Sequence, residues 1–175
     1  MLKVGICHQT LACDDAIGND IAGAYRLFER MGCSPTLLCE FSEKRLESEY
    51  RIQHVSDGRS ASKPLNLLLY HHSISWPRGE DLVESFSGPV VVKYHNVTPP
   101  EFFEPFAPIV AQACREAREQ TKRLARQPGV ELWQADSNFN ADELRSIDVP
   151  ETRIAVVPPF NRIGEFFYET THTRC

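Results

Sequence analysis

The chain has 175 residues, 42% hydrophobic, 25% charged and 10% aromatic, which excludes disordered, fibrous and coiled-coil classes and fits one globular domain with a short appendage. Nineteen basic against twenty-four acidic side chains give a formal charge of -5, so the chain as a whole has no attraction to phosphate backbones or anionic lipid, and nucleic acid is not an expected partner. No apolar stretch approaches a bilayer span and Met1 to Ile6 lacks a signal-peptide pattern. A cytoplasmic protein with membrane contact at most peripheral is the expectation. The six cysteines show no paired zinc-ribbon spacing and are expected as reduced, small core residues.

Leu2 to His8 is a short, partly β-branched apolar run and reads as a strand. After the turn-rich Asp14 to Gly18 the period changes: Ile21, Ala24, Tyr25, Phe28 and Met31 form one helical stripe, and Gly32 stops it. Thr36 to Cys39 reads as a second strand, and Glu43 to Lys63, with a turn signal at Asp57-Gly58, as an irregular excursion. Leu65 to Tyr70 is a continuous apolar run, suited to a strand covered on both faces. Asp81 to Phe86 is predicted as a short helix and Pro89 to Tyr94 as the strongest strand.

Ala107 to Leu124 carries a stripe of mostly small residues opposite a charged face. Arg115/Glu119 and Glu119/Arg123 stand at ion-pair spacing on that face, which reads as solvated rather than as an anion site. Val130 to Ala135 is a further strand, and Ser137 caps a helix through Ile147. Arg153 to Val157 is the last strand. Strands alternating with helices predict an α/β fold, a doubly wound, mainly parallel, Rossmann-like sheet. Residues 1 to 160 form that domain, and 161 to 175 a tail or the start of a linker.

Ligands of such sheets sit outside the carboxyl ends of the strands. The residues expected there are His8 and Gln9, then His71, His72 and Ser73, then His95 and Asn96, then Ser137, Asn138 and Asn140. Four of the six histidines therefore converge on one edge. Gly18 and Asn19 precede or open a helix, where backbone can approach a phosphate. The GxGxxG fingerprint, the P-loop and the GxSxG elbow are missing, which argues against dehydrogenase, NTPase and hydrolase readings. The histidines do not stand at the helical spacing of strong metal motifs, so no metal is assigned.

Five segments in order, Asp15-Ala16-Ile17-Gly18-Asn19-Asp20, Tyr70-His71-His72-Ser73-Ile74, Tyr94-His95-Asn96-Val97-Thr98-Pro99 with Phe102-Phe103, Ala135-Asp136-Ser137-Asn138-Phe139-Asn140 with Leu144, and Val156-Val157-Pro158-Pro159, make a pattern that resembles bacterial retaining glycosyltransferases of the GT-B fold, the group 1 or family 4 enzymes. The resemblance covers roughly residues 1 to 160. It implies the N-terminal, acceptor-binding half of a two-domain enzyme that moves a hexose from a nucleotide sugar to a glycan or lipid-linked acceptor, in surface polysaccharide synthesis. The nucleotide sugar is a substrate, and no cofactor or metal is implied. The family's donor-domain motif of two glutamates has no counterpart here, so a donor-binding domain, in cis or in trans, is an expected partner, and this chain alone is expected to be inactive.

By the same resemblance His95 is the catalytic candidate beside the transferred sugar, Gly18 and Asn19 face the donor diphosphate, and His71, His72, Asn96, Ser137, Asn138 and Asn140 line the acceptor side. The reduction of the family's glycine-rich first loop to Gly18 is a departure from the pattern. An alternative of another class is a non-catalytic Rossmann-like module that binds a glycan or a protein and forms a homo-oligomer through the exposed aromatics of Phe102-Phe103, Phe160 or Phe166-Phe167-Tyr168. A metal-dependent hydrolase built on His8, His71, His72 and His95 is a third.

Overall fold

The computed structural model describes residues 1–55 and 64–161. The predicted turn at Asp57-Gly58, the aromatics at 166–168 and all but the first residue of the 161–175 tail lie outside them. Seven strands form one sheet: β1 (Lys3–Cys7), β3 (Ser34–Cys39), β5 (Ile52–His54), β6 (Leu67–His72), β7 (Val90–Tyr94), β8 (Val130–Ala135) and β9 (Ile154–Val156). Two short strands, β2 (Thr10–Leu11) and β4 (Phe41–Ser42), pair beside it. The order across the sheet is β5-β3-β1-β6-β7-β8-β9, and every pairing is parallel. The chain winds outward from β1 in one direction and then from β6 in the other, which places the topological switch point between β1 and β6. The α/β, doubly wound, Rossmann-like expectation holds.

Both faces of the sheet are covered, and side-chain alternation assigns each residue to one of them. Val4, Ile6, Leu37, Cys39 and Leu69 pack against α1 (Ala16–Arg30), which contributes Ile21, Ala24 and Tyr25. Cys7, Leu38, Leu68, Tyr70, Val92, Tyr94 and Trp133 face the other way, against α2 (Pro77–Ser85), α3 (Pro108–Ala125) and α4 (Asn138–Ser146). Among the described residues no helix is long and apolar enough to cross a membrane. The five described cysteines are free, and burial pushes the Cys39 thiol up to about 12, so it packs as an apolar group.

Three sequence expectations are corrected. β6 does not stop at Tyr70 but continues through His71 and His72, which pair with Lys93 and Tyr94 of β7. Part of the stretch read as irregular forms a 3₁₀ turn at Lys44–Ser48 and the edge strand β5. The expected i,i+4 pairs on α3 are not formed: Arg123 instead reaches α2 and binds Glu80 with Nε at 2.6 Å and Nη2 at 2.8 Å, and Arg115 binds Glu104 at 2.6 Å. A largely shielded carboxylate that accepts both arms of a guanidinium outcompetes an exposed neighbour on the same helix.

The α2–α3 contact also depends on a neutral group. Gln120, fully buried on α3, accepts from the Trp76 backbone N–H at 2.9 Å and donates to the Trp76 carbonyl at 2.9 Å. Removing the amide strands the Trp76 N–H, while the Trp76 carbonyl keeps the Glu80 backbone N–H at 3.1 Å. Gln120→Leu is expected to cost about 1–3 kcal/mol; urea unfolding checks this, and a loss below about 0.5 kcal/mol contradicts the role given to the amide.

Candidate functional site

The α1 face of the sheet is apolar until its carboxyl edge, where the alternation that buries Leu69 and Val91 also carries His71 and Lys93 inward. His95 follows β7, Asp136 follows β8, and Asp20 comes down from the second turn of α1. These five side chains meet within the protein, with Asp20, His71, Lys93 and His95 almost completely shielded from solvent. Asp136 is the member that opens toward the edge, its side chain 18% exposed.

The hydrogen-bond sense follows from chemistry. The Asp136 carboxylate accepts only, so His95 donates its Nδ1–H to Oδ2 at 2.9 Å. A neutral His95 then has an Nε2 lone pair, and His71 Nδ1–H donates to it at 2.8 Å. Lys93 Nζ pairs with Asp136 Oδ1 at 2.8 Å and donates to the Val157 carbonyl. Asp20 Oδ1 accepts the Phe160 backbone N–H at 2.7 Å. Its Oδ2 has no hydrogen-bond partner and lies 3.6 Å from both His71 Nδ1 and His95 Nε2. His8, the residue after β1, joins through its Nδ1 and the His71 carbonyl at 3.0 Å.

The two carboxylates are tuned in opposite directions. Burial pushes the Asp20 pKa up, more than the Phe160 N–H, Lys93 and His95 pull it down. Burial also acts on Asp136, but the His95 and Lys93 contacts outweigh it and hold that carboxyl below its ordinary value. With both ionised and Lys93 charged, the cluster carries a net negative charge beside a histidine whose tautomer a carboxylate fixes. Such a site orients an imidazole and favours positive charge developing next to it.

The structure brings His71 and His95 together, with His8 alongside, but not His72. That residue lies on the opposite face of β6, fully buried, with Nε2 on Thr121 Oγ1 at 2.8 Å and its ring beside Tyr70 and Tyr94. The convergence is therefore of three histidines on the site's face. Ser137 caps α4, accepting from Asn140 N, and its hydroxyl donates to Asn140 Oδ1 at 2.5 Å. Asn138 is exposed in the first turn of α4. Asn96 takes the left-handed backbone, φ 73°, that an asparagine tolerates.

Gly18 and Asn19 stand in the first turn of α1, where Asp15 accepts from both backbone N–H groups, through its side chain and its carbonyl respectively. A Cβ on Gly18 would lie 2.1 Å from the Ala12 carbonyl oxygen. Close packing of the preceding loop thus accounts for the glycine. Sequence reasoning missed Asp20, Lys93 and Asp136 as site residues. A lysine in the otherwise apolar strand Val90-Val91-Val92-Lys93-Tyr94 was the available signal, since a buried lysine requires a buried acceptor.

Asp20, His71 and His95 also present three potential metal-ligand atoms within 4.8 Å of one another. Yet the 2.8 Å between His71 Nδ1 and His95 Nε2 is a hydrogen-bond separation, whereas tetrahedral zinc with bonds near 2.0–2.1 Å spreads its donors to about 3.3 Å. The rings as placed share a proton better than an ion.

Comparison with known proteins adds a fold-level likeness. No family model matches the chain and no curated protein matches it. Solved structures do: Anabaena HepE in complex with UDP and glucose at a TM-score of 0.58 and 15% identity, with UDP-glucose at 0.57 and 14%, and with UDP at 0.56 and 14%. Each match covers 91% of this chain and 44% of HepE. The chain thus spans less than half the length of the HepE chains it matches, and at this identity the likeness is one of fold.

The buried ionisable groups make stability depend on pH. Burial holds His8, His71 and His72 below the ordinary histidine pKa, His72 at about 3. Unfolded histidines take up protons near pH 6.5 while the folded ones stay neutral, so their contribution is complete above that pH. It falls as the solution is acidified toward the folded pKa, with a limiting slope of about 1.4 kcal/mol per pH unit for each group. Melts between pH 7 and 5 are expected to show this decline, and His72→Gln to flatten it; an unchanged slope in that variant contradicts the assignment. Asp20 has the opposite sign: its raised pKa makes the ionised form a cost, so its favourable contribution is lost as pH rises. Asp20→Asn is therefore expected to raise the Tm at pH 7 by roughly 2–4 °C, and a lowered Tm contradicts that account.

Proposed function

We propose that this chain is the acceptor-binding half of a retaining glycosyltransferase of GT-B architecture. On this reading it acts with a donor-binding domain, in cis or in trans, to move a hexose from a nucleotide sugar to a glycan or lipid-linked acceptor. The observation that supports the reading most is His95, held by Asp136 and facing Asp20 at the carboxyl edge of a doubly wound sheet. The fold likeness to HepE, whose structures hold UDP, glucose and UDP-glucose, is consistent with it.

Glycosyl transfer passes through an oxocarbenium-like state. The anionic Asp20, Asp136 and Lys93 cluster favours the positive charge of that state, and His95 supplies an oriented Nε2 acceptor for a sugar hydroxyl once His71 gives up its hydrogen bond. Gly18 and Asn19 are proposed to face the donor diphosphate. His71, Asn96, Ser137, Asn138 and Asn140 are proposed for the acceptor side, His71 by yielding its place on His95 Nε2 to the acceptor hydroxyl. His72 contributes by packing.

With a donor domain supplied by fusion or in trans, His95→Ala is expected to lower turnover at least about 100-fold, and Asp136→Asn about 10–100-fold, with folding intact by circular dichroism. Unchanged turnover in His95→Ala removes that residue from the site. Transfer by this chain alone refutes the need for a second domain.

A second reading, a non-catalytic binding module, is supported by the apolar side chains exposed around the segment after His95, namely Phe102, Phe106, Ile109 and Val110, with Phe139 also exposed on α4. It requires self-association or partner capture through that surface. A mass above the chain's own 19.9 kDa in light scattering, abolished by Phe106→Ser with Ile109→Ser, is the result expected of it. A strict monomer that transfers sugar once completed rejects it.

A further inference from the structure

Along the flank of α1, away from the buried cluster, runs a cleft of about 370 Å³, within the range of small-molecule sites. It starts at Gly18 and Asn19, where Arg45 is bonded to Asp14 and Glu43, and runs to Arg26, Arg30 and Tyr50. The absent side chains at Gly18 and Gly23 make way for the Ala12 carbonyl and the Phe160 ring, and both of those residues form part of the cleft wall.

The far end is basic in a chain whose net charge is negative. Among the described residues most of the other arginines are paired, Arg78 with Glu40, Arg115 with Glu104, Arg118 with Glu143, Arg123 with Glu80 and Arg145 with Glu151. Arg26 and Arg30, in contrast, face the cleft with no carboxylate at ion-pair distance among the described residues. The cleft's own acids are Asp14, 2.6 Å from Arg45, and Glu49. The wall is held in place: Arg26 Nη2 donates to the Tyr50 hydroxyl at 3.2 Å, and the Tyr50 ring packs edge-on against Tyr25 at 5.0 Å. Exposed guanidinium groups lining a concave surface suit a phosphate or carboxylate, whose oxygens accept two N–H bonds at once.

We propose that this cleft holds an anionic group, phosphate or carboxylate, on the sugar acceptor, at a part of that acceptor remote from the bond being formed. The proposal rests on the glycosyltransferase reading above. The placement favours the acceptor over the donor's diphosphate as the source of the anion. Arg26 and Arg30 stand about 9 and 15 Å further along the helix axis than Asp20, more than a diphosphate at the helix start reaches.

The test is a titration of the isotope-labelled chain at low salt, followed by amide chemical shifts, with glucose 1-phosphate, glucuronate, UDP and neutral glucose. Shifts at Arg26, Arg30, Arg45 and Tyr50 with glucose 1-phosphate or glucuronate, and not with glucose, are expected. Arg26→Gln with Arg30→Gln is expected to weaken that binding at least tenfold, while Arg115→Gln, the same charge change elsewhere on the surface, leaves it unchanged. Equal response to glucose, or unaltered binding in the double variant, overturns the anion site. Tighter binding of UDP than of either anionic sugar at these residues overturns its assignment to the acceptor. The titration needs no donor domain, so failure of the completed pair to transfer sugar rejects the enzymatic reading without touching this result. Transfer with an unaltered acceptor KM in the double variant rejects the anion site and leaves the enzymatic reading standing.

Discussion

A lysine and two carboxylates held inside the carboxyl edge of a parallel sheet are the constraint on which the site depends. Lys93 cannot leave β7 without breaking its pairing with His71, and its charge is balanced by Asp136 at 2.8 Å. Asp136 is in turn occupied by His95, so the imidazole tautomer is set before any ligand arrives. Replacing one member exposes a buried partner to an uncompensated environment, which is why such clusters behave as units. Asp20 is the strained member, with one oxygen satisfied by Phe160 and the other facing two imidazoles without a hydrogen bond.

The sheet topology makes this cluster possible. β1 and β6 diverge in connection, and the crevice between their ends admits His8, His71 and the start of α1 from three separate parts of the chain. Phe160, which follows the last described strand, returns to α1 and donates its backbone N–H to Asp20. A Cβ on Gly23 would lie 2.3 Å from the Phe160 ring. The end of the described chain is thus bonded to the site, and the absence of a side chain at Gly23 is what lets it lie there.

Strand and helix content was largely legible, because continuous apolar runs and 3.6-residue stripes leave few alternatives for Val90 to Tyr94 or for α1 and α3. The Ser137 cap was legible from its residue type and position. The extent of β6 was not, since two histidines end it and polarity argued for a loop. They are tolerated in the strand because His95 accepts from one ring and Thr121 bonds the other. Helix surface pairs were misjudged for a related reason, since spacing within α3 carries no information about Glu80 on α2.

The sequence by itself determined the α/β class, the alternation of strands and helices, and the crowding of polar residues at strand ends, because these follow from local periodicity and turn chemistry. It placed His71 and His72 together as neighbours in the chain. Only the tertiary structure decided that they face opposite sides of the sheet, and that Asp20, Lys93 and Asp136 complete the surroundings of His95. The pleat separates adjacent residues, and crossover connections bring distant ones within hydrogen-bond reach. Neither the hydrogen-bond sense of His95 nor the opposite tuning of its two carboxylates is written in any single segment, since both arise from burial and from partners on four different elements.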